Sequence, residues 1–542
     1  MSAEQLYLFR HVLLREAAYQ LMLPSLRARL HLFALRLLDD GQQDMDLLRA
    51  LELAEHARRA GEGADESLRE QLRSDELRFS LVAADQANQR QQNNLVLSQT
   101  RRALELAGAD AKSRSRAFEL MAQAALRAGL LPDALEAERG RLQTAHTDEQ
   151  RLEACLGAAH ISNLLGEKDS AREFTDRAES LANRCASPRL AMSLWNHRSR
   201  MAYYAGDFGL AVECNTQAEA AGRDIGLSRQ HLAVKANRQL YLSSLGRHEE
   251  ALACARQAAE LATQASDPDM LAFIKLYHGH TLMEMRHWRA AVQTLADAER
   301  AARRAGARMR IAESAYRRGL SSVAIDDLHA ALEAMRTVVR IAREVGSGDL
   351  LRLGVQGHAI VLRASGRYEE ALTVCEDGMA ELKLYRTDPS ELIQLERATA
   401  LSRMGAHEVA VAACQALLMQ KGPALLDELL YRGLLAEIFL DAAQPARAYE
   451  LALPGVQAPY TALEFEHEAA WLHGIVAECC LALGRPEEAS QWARKGAAAG
   501  QERRVPSRRM TAEWHRFMAT LARLGIDYNE PAPTEDSGHD YR

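Results

Sequence analysis

Small and apolar residues recur along most of this chain with a period near 40. Within each period the pattern is that of two amphipathic helices joined by a short turn. The segments "LSSLGRHEEALACARQAAELA" (from Leu242) and "VLRASGRYEEALTVCEDGMAEL" (from Val361) show it most plainly: helix, Gly-Arg turn, acidic pair, Ala-Leu, helix. The same turn is read at Gly129, Gly166, Gly206, Gly246, Arg286, Asp326, Gly366, Gly405, Ala443 and Gly484. Glycine there ends a helix without a Cβ penalty. Glu249–Glu250 and Glu369–Glu370 then open the next helix, where carboxylates suit the positive end of the dipole.

Three columns of small residues follow the same register. Five residues after each turn stands an alanine: Ala134, Ala171, Ala211, Ala251, Ala291, Ala331, Ala371, Ala410, Ala448 and Ala489. Twelve residues before each alanine come Ala122, Ala159, Ser199, Gln239, Gly279, Gly319, Ala359, Ala398, Ala436 and Ala477, all small except Gln239. Seven residues after it comes a mostly small column that includes Ala178, Ala218, Ala258 and Ala298. Small residues at these places let two antiparallel helices cross closely, as a helical hairpin requires. The pattern predicts an all-α fold, a right-handed superhelical solenoid of antiparallel helix hairpins.

The organisation read from the pattern has five parts. Residues 110–500 hold about ten repeats of roughly 40 residues. Residues 46–109 read as degenerate N-terminal helical repeats, with "LRALELAEHARRAGEG" (Leu48–Gly63) as one helix and turn and "DQANQRQQNN" (Asp85–Asn94) as a polar turn. Residues 1–45 form a separate helical segment, residues 501–527 a C-terminal capping helix, and residues 528–542 a disordered tail.

Composition agrees with helices. The 542 residues are 48% apolar but only 5% aromatic, a balance that suits packed helices better than sheets. There is no apolar run of membrane-spanning length and no signal-peptide layout, because Glu4, Arg10 and Arg15 interrupt the N-terminal segment. The expected location is the cytoplasm. A net charge of −7 argues against non-specific nucleic-acid binding, so no direct nucleic-acid contact is expected. The eight cysteines form no CxxC pair and sit inside apolar helical pattern, as small core residues do.

The repeat resembles the tetratricopeptide repeat: small residue, turn glycine, acidic pair, alanine. "GRYEEAL" (Gly366–Leu372) is close to that consensus, while "GDFGLAV" (Gly206–Val212) and "GRPEEAS" (Gly484–Ser490) are looser. The usual period of that family is ~34. The longer repeat is similar to those of bacterial signalling ATPases. A second resemblance lies at the N-terminus. Phe9, Arg10, His11, Leu13, Leu14, Arg15, Glu16, Ala17, Ala18, Tyr19, Leu23, Pro24, Arg27, Leu30 and His31 resemble the segment that closes the winged helix in STAND-class ATPase regulators and leads into their repeats. The resemblance implies that residues 1–45 are a remnant of a winged-helix tail and that the chain is the C-terminal half of such a regulator. It leaves open whether the half is a split gene product, a decayed homologue or a truncated chain. By the same resemblance His11 would be a nucleotide-sensing histidine, with an ATPase supplied in trans. Val12 stands where relatives carry an aspartate. No G-x-x-x-x-G-K-[ST] loop occurs, so neither nucleotide binding nor any other cofactor is expected of the chain itself.

No catalytic constellation is legible. His278 and His280 lie two apart, on opposite faces of a helix, and so cannot share a metal. No G-x-S-x-G elbow occurs. The chain therefore reads as a non-enzyme. In repeats of this kind the first helix of each pair lines a concave groove. Projected onto this register, that face holds Arg200, Tyr203, Tyr204, His280, Met283, Glu284, Tyr316, Arg363 and Arg403, a blend suited to a protein or peptide partner. Thirteen residues before the repeat alanines runs a basic column of Arg198, Arg238, His278, Arg318, His358 and Arg397. Two readings of it stand: long stems that pack while their heads pair with glutamates late in the second helices, such as Glu179, Glu219 and Glu299, or a docking strip for an acidic segment. The expected function is a scaffold or sensor in bacterial signal transduction. The alternative is the regulatory sensor subunit of a split nucleotide-driven switch.

Overall fold

The computed structural model describes residues 19–39, 45–90, 92–182, 184, 187–225, 228–385, 387–422, 425–426, 429–457, 466–501 and 512–528. Among them every regular element is a helix and no strand occurs. The chain divides into two compact units. One comprises residues 1–201 with 214–226, the other residues 202–213 with 227–542. Within each, helices pack chiefly on their neighbours in sequence, as in a solenoid.

In the second unit the first (A) helices of the repeats are Arg229–Ser244, Pro268–Glu284, Arg308–Ala324, Gly348–Ala364, Glu391–Arg403, Leu429–Asp441 and Glu466–Ala482. The second (B) helices are His248–Gln264, Trp288–Arg304, Leu328–Val345, Tyr368–Leu384, His407–Lys421, Pro445–Gln457 and Pro486–Gln501, and Ala512–Arg523 closes the unit. Each A helix also packs directly on the A helix of the next repeat. The first unit holds Pro24–Leu38, Leu47–Gly61, Glu66–Gln89, Asn93–Leu106, Ala111–Ala128, Leu131–Thr144, Asp148–Leu164 and Lys168–Ala182.

One backbone device closes the ten repeat hairpins. All ten turn positions read from the sequence have positive φ, from 57° at Ala443 to 87° at Gly405. The next N–H reaches back to the carbonyl five residues earlier, as in Arg247 to Leu242 (2.9 Å), His287 to Leu282 (2.8 Å) and Gln444 to Phe439 (2.9 Å). This is the Schellman arrangement, and it holds the left-handed residue even where it is Arg286, Asp326 or Ala443. A second such series, not legible in the sequence, lies between repeats. Ser266, Gly306 and Gly346, also 40 apart, have φ of 51°, 60° and 68°. Only two of them are glycine, which is why the pattern was hidden.

The ten repeat alanines are all buried. Gly279 and Gly319 show how close the crossings are: a Cβ on Gly279 would stand 2.5 Å from Leu295 Cγ, and one on Gly319 would stand 2.5 Å from Met335 Cε. Gln239, the one large residue of that column, is buried and donates from Nε2 to the Ile274 carbonyl of the next A helix at 2.8 Å.

The polar stretch Asp85–Asn94 is not a turn throughout. The helix Glu66–Gln89 runs to Gln89. Its polar residues are used across the packing: Asn93 Oδ1 accepts from Arg127 Nε at 3.0 Å, and Asn88 Oδ1 accepts from the same guanidinium. Satisfying the buried Arg127 with side-chain oxygens suits a helix that continues under it.

A helices covered by B helices and by one another bury polar residues too. His197 and His278 are buried. Burial lowers His197 to about 3 and His278 to about 4, with neighbouring cations adding to the effect: Arg200 and Arg198 for the first, Lys275 and Arg256 for the second.

Three outcomes follow from this packing. Ala251→Arg should destabilise by roughly 3 kcal/mol, because a cation has no room or partner at a closed helix crossing; an unchanged melting temperature would contradict the crossing. Ala443 is exposed and left-handed, so Ala443→Gly should raise stability by about 0.5–1 kcal/mol in chemical denaturation. The folded-state values of His197 and His278 lie below the ordinary 6.5, so their contribution to stability is full above pH 6.5 and is lost as pH falls towards 4 and 3. An NMR titration should find the His278 imidazole still neutral at about pH 5, and charging near 6.5 would rule this out.

Candidate functional site

The A-helix face of the second unit has two chemically different regions. The first is aromatic. Tyr203 and Tyr204 end an A helix just before the Gly206 turn, and their rings meet edge to face at 5.8 Å. Tyr203 also lies 5.6 Å from Phe208 and 5.4 Å from Tyr241 of the next A helix. Tyr277, one repeat further on, joins the same cluster. Its ring packs at 4.9 Å on Phe273, with the Arg317 guanidinium 5.8 Å from its centroid. Tyr204 is the exposed member.

Beside the aromatics sits a polar knot around Glu284. Its carboxylate accepts from Ser243 Oγ and lies 3.5 Å from both His248 Nδ1 and His280 Nε2. Thr281 Oγ1 donates to Ser243 Oγ at 3.0 Å. Burial, together with Arg317 and His248, lowers His280 to about 4, so the imidazole is a neutral donor or acceptor at physiological pH. Met283 is half-buried on the same helical turn.

The second region is ionic. Arg363 Nε donates to Glu396 at 2.7 Å, and Arg403 lies 2.9 Å from Glu437 and 3.3 Å from Asp441. Arg516, from the closing helix, bridges Asp441 at 2.7 Å, Glu478 at 2.8 Å and Glu437 at 3.4 Å. Burial pushes the Glu396 carboxyl up against the pull of Arg363. Between the two regions, Tyr316 OH accepts from Gln356 Nε2 at 3.3 Å, and Gln356 Oε1 accepts from Ser390 Oγ at 3.0 Å.

Tyr203 thus shares an aromatic cluster with Tyr277, and Tyr277 shares the helix Pro268–Glu284 with His280, Met283 and Glu284. The structure engages Arg363 and Arg403 in internal ion pairs. Arg200 lies in the first unit, half-buried, with no hydrogen-bond partner for its Nε. Sequence reasoning missed Tyr241, Tyr277 and the carboxylates Glu396, Glu437 and Glu478. The last three stand 41 residues apart, a period that a search for charged columns could have used.

Three members of the basic column are paired from within. Arg198 Nε donates to Glu179 at 2.9 Å, Arg318 lies 3.0 Å from Glu299, and Arg397 lies 3.1 Å from Glu376. Arg238 has an interaction of its own. Burial lowers both His278 and His358. The three arginines thus have the geometry of packed stems and paired heads, whereas the buried His278 Nε2 has no hydrogen-bond partner among the described residues. His11 lies outside the described residues. Among those described, no group of three or more His, Cys, Asp or Glu side chains is placed to hold a metal ion, and no helix is long and apolar enough to cross a membrane.

No protein-family model matches the chain, and no curated protein matches it in sequence. Solved structures do. The apo form of RapI is 13% identical, over 64% of this chain and 97% of that one, with a TM-score of 0.50. A Rap protein complexed with Competence and Sporulation Factor is 13% identical over 76% and 99%, with a TM-score of 0.43. A STAND protein with a tetratricopeptide repeat sensor from Pyrococcus horikoshii is 12% identical over 71% and 66%, with a TM-score of 0.37. At such identities the likeness is one of fold: this chain is an all-α solenoid of helix hairpins of the tetratricopeptide-repeat type.

Proposed function

We propose that the chain is a non-enzymatic scaffold or sensor that binds a peptide or protein segment on the A-helix face of its second unit, centred on Tyr203, Tyr204, His280, Met283 and Glu284. The observation that carries this reading is the contrast between the two regions of that face. The arginines at its far end are spent on internal carboxylates. The aromatic end offers an exposed ring at Tyr204, and the helix that carries Tyr277 adds a half-buried thioether, a neutral imidazole and a carboxylate. Rigid aromatic surface bounded by a few fixed polar groups is what anchors peptide side chains. The inter-repeat hydrogen bonds hold this lining in place before any ligand arrives, which lowers the ordering cost of binding.

A regulatory role beside an ATPase supplied in trans is a second reading. The resemblance of Phe9–His31 to the segment that leads into the repeats of STAND regulators favours it. It predicts that the chain alone binds neither ATP nor ADP, and micromolar nucleotide binding in calorimetry would contradict both readings.

The main reading is tested with a random phage-displayed peptide library selected on the full chain. Selected peptides should lose about tenfold or more in affinity on Tyr204→Ala and on Met283→Ala, the cost typical of an anchor contact. Arg397→Ala should leave them unaffected. Peptides insensitive to both anchor substitutions would place binding elsewhere and overturn the proposal.

A further inference from the structure

The helix Pro24–Leu38 has two apolar faces and, among the described residues, packs one of them. Its inner face buries Ala28 and Leu35 and, with Leu32 and Leu38, packs on Leu53, Ala54, Ala57, Ala60 and Leu72. The opposite face carries Leu26, Leu30, Phe33 and Leu37, exposed by 43%, 48%, 67% and 70%. Scattered exposed leucines are ordinary, but four large apolar side chains on one stripe mark an interaction surface. Their spacing of four, three and four residues averages 3.5, the repeat of a coiled-coil seam, and on a helix it confines them to one narrow arc.

The charges beside the seam select the occupant. Taking Leu30 and Leu37 as the a positions and Leu26 and Phe33 as the d positions, the flanking e and g positions are Arg27, Ala34, Arg29 and Arg36. The helix contains no carboxylate. Two copies of this helix packed antiparallel would set Arg29 against Arg36 at both ends of the seam. Packed parallel, they would set Arg29 against Ala34 and gain no ion pair. Flanking charges decide pairing in such seams, so a second copy is disfavoured and a helix with glutamates at the matching positions is favoured. We propose that this face docks an amphipathic, acidic helix of a partner protein, in coiled-coil fashion. The proposal rests on this face alone and stands or falls independently of what the aromatic region binds.

The test uses the full chain and two fluorescein-labelled synthetic peptides of about four heptads, with leucine at a and d. One carries glutamate at e and g, the other lysine. The acidic peptide should bind, by fluorescence anisotropy, at least about tenfold more tightly than the basic one. Phe33→Glu should abolish that binding. The double reversal Arg29→Glu with Arg36→Glu should switch the preference to the lysine peptide. Because all three side chains face water in the free chain, the variants should keep the melting temperature within about 2 °C. Equal binding of both peptides, binding of neither, or no switch on charge reversal would overturn the proposal. So would a large fall in melting temperature on Phe33→Glu, which would mean the chain covers this face itself. Sedimentation velocity showing a dimer that Phe33→Glu dissociates would assign the face to a second copy and overturn it equally.

Discussion

The close crossing of two helices at a buried alanine is the contact on which the repeats depend. Two helices approach this closely where side chains are small at the crossing point, so the alanine on one helix faces alanine, serine or glycine on the other at every repeat but that of Gln239. Where the partner is glycine, as at Gly279 and Gly319, a leucine or methionine from the facing helix fills the space a methyl would need. Dispersion forces reward such fit and forfeit it at separations of half an ångström, so the register of each hairpin has little freedom. The left-handed turn serves the same crossing. Its back-reaching N–H ends the A helix at a fixed residue, so the B helix begins on the turn that brings its alanine to the crossing.

Once the hairpins are fixed, the A helices have little surface left to give to water. They are packed by B helices and by one another, and their polar residues must find partners within the stack. Gln239, Ser243, Gln356, Arg363 and Arg403 all reach to the next repeat for theirs. The A-helix face is therefore a ladder of cross-repeat hydrogen bonds and ion pairs as well as a surface. An Arg–Glu pair with a buried carboxylate, such as Arg363 with Glu396, costs desolvation and gives little net stability, but breaking it strands a charge. Residues of this kind look available for ligands in a sequence and are not.

The same accounting separates the two ends of the chain. The closing helix Ala512–Arg523 is tied down by Arg516, which spans three carboxylates on two A helices, and by the buried Phe517 and Leu521. Among the described residues, the helix Pro24–Leu38 is tied on one face. A side chain as large as Phe33 left in water is a cost that binding a partner would relieve.

The sequence by itself determined the backbone course of the repeats. All ten turn positions and all ten crossing alanines could be located, because steric exclusion at φ > 0 and at a helix crossing restricts residue type strongly, and the restriction recurs at every repeat. The sequence did not reveal the turns at Ser266, Gly306 and Gly346, where polar and flexible residues serve alike, nor the continuation of a helix through Asp85–Gln89. Only the tertiary structure decided which charged residues are free. Arg363 and Arg403 lie on the face expected to bind, yet Glu396 and Glu437, one repeat on, already hold them. Arg198, Arg318 and Arg397 are paired in the same way with Glu179, Glu299 and Glu376. Ion pairing depends on side chains roughly 20 to 40 positions away and on the reach of a flexible stem. A periodic pattern records which way a residue faces, but not what meets it there.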